Sequence, residues 1–102
     1  MGIFGSVSGA QVDEFAKALA RELAAYLPPA PGPTGPTPKK IWISCETVFA
    51  KALDFHQQHK LGIYKKARLG NTFRWELESL GYHRPFAEQV TQQLVLRVAG
   101  KR

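Results

Sequence analysis

The sequence predicts an all-α fold, a small bundle of about four helices, and three observations carry that expectation. Apolar residues recur at three- and four-residue steps in four segments. Capping and stop residues bracket those segments. The stretch "PPAPGPTGPTP", residues 28–38, separates the first segment from the other three. The expected organisation is an N-terminal amphipathic helix over 1–27, a Pro/Gly-rich linker over 28–38, and a basic, three-helix, helix-turn-helix-like body over 39–102.

In "VSGAQVDEFAKALARELAAYL", Ser8 stands as an N-cap. Gln11 can close a capping box with it, and Val7 and Val12 have the spacing of a hydrophobic staple. Val12, Phe15, Leu19, Leu23 and Tyr26 then share one face. The linker that follows lacks backbone donors at its prolines and holds no large apolar residue, so it predicts a flexible or partly extended tether. The first helix can therefore dock on the body or swing away from it.

Thr37-Pro38 is an N-cap and N1 pair opening "KKIWISCETVFAKALDFHQQHK", with Ile41, Cys45, Val48, Ala52 and Phe55 at helical spacing. The β-branched and aromatic "IWIS" allows a start as late as Ser44. Gly62 is placed as the residue ending this helix, with Ile63 packing back. The third helix covers most of 65–80, with a break or restart allowed at Gly70-Asn71, and ends at Gly81 with Tyr82 as its apolar partner. The fourth starts near Pro85 and carries Phe86, Val90, Leu94 and Val98 to Gly100.

A chain of 102 residues with 44% hydrophobic residues is about one domain long. Its formal charge of +6 is uneven: residues 1–38 hold two basic against three acidic side chains, and residues 39–102 twelve against five. A basic body favours anionic partners, here nucleic acid or an acidic protein. Cys45 is the only cysteine, so no internal disulfide is possible and a reducing, cytoplasmic setting is expected. No apolar run approaches the roughly 20 residues that span a bilayer, and no secretory signal is seen, so no membrane role is expected. "MGIFGS" fits the short myristoylation pattern at Gly2, which matches often by chance.

The most informative stretch is "KKARLGNTFRWELESLGY", residues 65–82. On a wheel of about 100° per residue, Leu69, Phe73, Leu77 and Leu80 form one stripe and Trp75 stands about 200° from Phe73, beside Arg68, Asn71 and Thr72. Either a neighbouring helix covers Trp75, or it is a contact residue. Between Asp54 and Glu76 there is no acid, while Lys60, Lys65, Lys66, Arg68 and Arg74 all occur. Lysines in a helix's first turn oppose its macrodipole, so stability alone does not explain them.

The expected function is binding without catalysis. Nucleic acid is the first candidate partner, with the lysines Lys60, Lys65 and Lys66 and the arginines neutralising phosphates, Arg68, Asn71 or Arg74 reaching base edges, Thr72 beside them near the helix start, and Tyr64 or Trp75 stacking. The alternative is a protein-interaction module or adaptor using the same surface, self-association included. No cofactor, metal site or catalytic residue is expected. His56 and His59 lack further ligands, and Cys45 aligns with Ile41 and Val48 as a small buried residue.

Overall fold

The computed structural model describes residues 7–29 and 36–100. Residues 1–6, most of the linker and the last two residues lie outside that set, and with them the pattern at Gly2. Four helices run in order, α1 Gly9–Tyr26, α2 Pro38–His59, α3 Ile63–Ser79 and α4 Arg84–Val98, with no strand among the described residues.

The Ser8 hydroxyl accepts from the Gln11 amide at 3.1 Å and Gln11 Oε1 accepts from the Ser8 amide at 2.9 Å, which closes the capping box. Val7 and Val12 are both buried, as a staple requires. The buried face of α1 is Val12, Ala16, Leu19, Ala20 and Leu23. Phe15 is only half-buried and stacks on Phe55 of α2, with ring centroids 3.9 Å apart. Tyr26 is exposed and donates its hydroxyl to Glu22.

Helix α2 begins at Pro38, not Ser44, because Thr37 Oγ1 accepts from the Lys40 amide at 3.1 Å and fixes the first turn. Its end corrects the sequence reading. Lys60, not Gly62, takes the left-handed conformation, with φ 53°. That conformation costs a non-glycine residue about 1–2 kcal/mol. Burial of Leu61 and a hydrogen bond from the Leu61 amide to His56 Nδ1 at 3.1 Å offset it. Gly62 is instead the N-cap of α3, and Ile63 projects outward rather than packing back.

Helix α3 continues without a break through Gly70-Asn71. A Cβ at Gly70 would lie 2.8 Å from Val95 Cγ2, so the glycine marks a close crossing with α4. Leu69, Phe73 and Leu77 are buried as the wheel predicts, with Leu80 partly so. Gly81, with φ 111°, and the buried Tyr82 end the helix, the Tyr82 amide bonding to Leu77 O at 3.1 Å. Tyr82 also donates its hydroxyl to Leu27 O, tying the end of α1 to the α3–α4 turn. Ala87, Val90, Leu94 and Val98 form the buried face of α4.

Helix α1 packs most extensively on α3 and also on α2, while α4 packs on α3 and α2. Two consequences follow for the expected body. The first helix is part of the core rather than an appendage. The α2–α3 turn is short, as in a helix-turn-helix, but the two helices it joins do not pack on each other. Pairs between helices fix the directions. Asp13–Arg68 and Arg21–Glu76 make α1 and α3 parallel, and Phe15–Phe55 and Glu22–Lys51 make α1 and α2 antiparallel. The fully buried Leu19, Leu23, Leu69, Phe73, Leu77 and Leu94 hold this arrangement, at about 1.5–3 kcal/mol each.

Candidate interaction face on α3

Nothing covers Trp75. It is 64% exposed, and at the start of the same helix Tyr64 is 70% and Ile63 87% exposed. Tyr64, Arg68, Asn71 and Trp75 follow at steps of four, three and four, so they share one side of α3. At 1.5 Å per residue the two aromatic side chains sit about 16 Å apart along the helix. A shallow depression of about 290 Å³ lies between them, lined also by Ala67, Arg68, Asn71 and Thr72 and by Asp13 of α1.

Arg68 is already occupied. Its Nε and Nη2 donate to the two carboxylate oxygens of Asp13 at 2.9 and 2.8 Å, and Nη1 donates to the Tyr64 hydroxyl at 3.4 Å. Thr72 Oγ1 donates to the same carboxylate at 2.9 Å. The Arg68 bond holds the Asp13 carboxyl below its ordinary value, helped by Thr72, and the pairing raises Arg68 in turn. Arg74 donates to Glu78 at 2.7 Å, one turn along α3.

The predicted site residues therefore separate into two sets. Arg68, Thr72 and Arg74 are bonded within the chain. Tyr64, Asn71 and Trp75 are exposed, and Lys60, Lys65 and Lys66 have no ion pair among the described residues. The lysines cluster at the start of α3, where its backbone has no side-chain cap and no acidic residue in the first turn. Burial, and then Lys66 and Lys60, lower the pKa of His56, which favours the neutral ring whose Nδ1 accepts from the Leu61 amide.

Two members escaped the sequence reading. Ile63 looks like a residue that packs back on a glycine turn, and only the shift of the cap to Lys60 turns it outward. Asp13 lies on another helix and carries no local signal.

Among the described residues no group of three or more His, Cys, Asp or Glu is arranged to hold a metal ion. Burial, and then Glu46, pushes the Cys45 thiol up to about 11, so it stays protonated at neutral pH and is no activated nucleophile. No helix among the described residues is long and apolar enough to cross a membrane. No protein-family model, no curated protein and no solved structure matches this chain.

Proposed function

We propose that this chain is a protein-interaction module whose α3 face takes an acidic, apolar segment of a partner protein. One observation carries the reading: Arg68 and Arg74 are engaged by Asp13 and Glu78, which leaves Tyr64 and Trp75 exposed on one side of α3, with the exposed Ile63 and the unpaired Lys60, Lys65 and Lys66 around its N-terminal end. Magnitudes favour the same partner. Burying an isoleucine or an aromatic ring is worth about 1.5–3 kcal/mol, and such residues dominate interfaces, whereas an exposed lysine pair adds roughly 0–1 kcal/mol. The apolar side chains thus supply the affinity, and the lysines select acidic partners and speed encounter.

Nucleic acid is the competing partner, with Tyr64 and Trp75 stacking and the three lysines on phosphates. Its backbone would need cations along the whole track. The α3 lysines without an ion pair stand at the Tyr64 end, and an aliphatic Ile63 offers little to a base or phosphate. The only cysteine in the chain, Cys45, suits a reducing, cytoplasmic setting for such a module.

The test compares a synthetic peptide of acidic and leucine residues with a single-stranded oligonucleotide at two salt concentrations. The peptide should bind, with affinity reduced about tenfold or more by Trp75→Ala and by Lys65→Glu with Lys66→Glu. Binding only to the oligonucleotide, with the steep salt dependence of phosphate neutralisation, would replace this reading with the nucleic-acid one.

A further inference from the structure

The α2–α3 turn is held by a bond that one proton can break. Lys60 carries the left-handed conformation at φ 53°, and its amide donates to His56 O at 2.6 Å. The next amide, that of Leu61, donates to His56 Nδ1 at 3.1 Å. His56 thus accepts two successive amides, one through its backbone and one through its ring. Leu61 is buried, while Gly62, Ile63 and Tyr64 after it are exposed and open α3. How the chain leaves Leu61 therefore sets where those exposed side chains stand.

A carbonyl in place of the ring would be a permanent acceptor. Imidazole is not: Nδ1 accepts only while it carries no proton, and the imidazolium has a donor at both nitrogens. Protonation sets an N–H against the Leu61 N–H. The amide then loses its partner beside a buried side chain, where an unpaired donor is costly. The same bond offsets the left-handed conformation of Lys60, which a residue with a Cβ adopts only under constraint, so its loss lets Lys60 leave that region.

The surroundings keep the ring neutral at neutral pH. Burial lowers the pKa of His56, and the charges of Lys66 on α3 and Lys60 in the turn lower it further. Carboxylates on the neighbouring elements are engaged elsewhere: Asp13 of α1 by Arg68 and Thr72, Asp54 of α2 by Gln58, and Glu46 of α2 by Arg97 of α4. Glu14 of α1 is exposed, and His59 packs on Phe55 with ring centroids 4.5 Å apart. A histidine whose folded pKa lies below its ordinary value of 6.5 supports the fold above that value and withdraws the support as pH falls through the folded pKa.

We propose that His56 is a proton-operated latch on the α2–α3 turn: in mild acid its ring takes up a proton, releases the Leu61 amide and lets Lys60, Ile63 and Tyr64 leave the positions they hold at neutral pH. The latch stands on the His56–Leu61 bond. Its consequence, weaker docking at the N-terminal end of α3, rests on the reading of that face as a partner site.

The test is NMR of the isotope-labelled full chain from pH 7.5 to pH 5, following the His56 ring and the Leu61 amide separately. The ring should titrate below the ordinary histidine value. Through that titration, and not through those of His59 or His83, the protection of the Leu61 amide against hydrogen exchange should fall about tenfold or more, and the Ile63 and Tyr64 amides should shift with it. His56→Asn offers the Leu61 amide a carboxamide oxygen that does not titrate, so protection in that variant should be independent of pH over this range. Protection that persists once the His56 ring is protonated overturns the proposal, and so does a loss in acid that His56→Asn retains. The acidic, leucine-bearing peptide then separates latch from docking, because its carboxylates stay ionised at pH 5.5. Wild-type affinity should be about threefold or more lower there than at pH 7.5, and unchanged in His56→Asn. A Leu61 response without peptide binding at either pH upholds the latch and removes the reading of the α3 face. An affinity that rises in acid while Leu61 stays protected overturns the latch, the imidazolium then acting only as a further cation.

Discussion

Arg68 closes on Asp13 with two parallel hydrogen bonds across the α1–α3 interface, 55 residues apart in sequence. The guanidinium rests over Gly9, where a Cβ would lie 2.6 Å from Nη1. A residue that the local charge pattern assigns to a ligand is thus a fastening between helices.

The pair is bidentate but partly exposed, at 36% and 28% of the two side chains, so solvent screens its coupling. Urea denaturation of Asp13→Ala, Arg68→Ala and the double variant should show the double costing less than the sum of the singles. Strict additivity would mean that the pair contributes nothing in solution.

Gly70→Ala should destabilise the fold although alanine is the better helix former by about 1 kcal/mol. The new methyl meets Val95 at 2.8 Å, and overpacking a close crossing costs about 1–3 kcal/mol. Thermal melts of Gly70→Ala alone and with Val95→Ala would show the second change recovering part of the loss. A gain in stability from Gly70→Ala alone would deny the close crossing.

Acid should loosen the bundle at its helix-to-helix ion pairs. Asp13, Glu22 and Glu46 have lowered pKa values, held down chiefly by hydrogen bonds from Arg68, Lys51 and Arg97. A carboxyl whose folded pKa lies below its unfolded value of about 4 stabilises the fold above that value, and the contribution fades as pH falls through the folded pKa. Melting temperature should therefore drop from pH 5 to pH 2, and less steeply in a variant carrying Asp13→Asn, Glu22→Gln and Glu46→Gln. Equal slopes would place the acid sensitivity elsewhere.

Cys45 should resist thiol reagents in the folded protein at pH 7 and react once the protein is unfolded, because burial both hides the sulfur and pushes its pKa up to about 11. Labelling as fast as that of a free thiol would place Cys45 on the surface.

The helix count, the caps at Ser8 and Thr37 and the Leu69–Phe73–Leu77 stripe were legible because each rests on residues within one or two turns of one another. Lys60 as the end of α2 was not, because a glycine two residues later is the stronger local signal, and burial of Leu61 decides against it. Nor was the fate of Arg68 and Thr72, since Asp13 reaches them only after α1 has docked. Exposure of Trp75 was one of two open readings, and the packing order decided it: α1 covers the flank of α3 next to Trp75 rather than Trp75 itself. Of the residues that the sequence singled out, Tyr64 and Trp75 are exposed, Lys60, Lys65 and Lys66 have no ion pair among the described residues, and Arg68 and Arg74 are bonded within the chain.

The most direct measurement of the α3 face as a protein-docking surface is Trp75 emission in a Trp42→Phe variant, titrated with the acidic, leucine-bearing peptide and in parallel with a single-stranded oligonucleotide. The account predicts a saturable blue shift and reduced quencher access with the peptide, lost on Lys65→Glu with Lys66→Glu, and little change with the oligonucleotide at moderate salt. A Trp75 signal unmoved by the peptide and quenched by the oligonucleotide would contradict it.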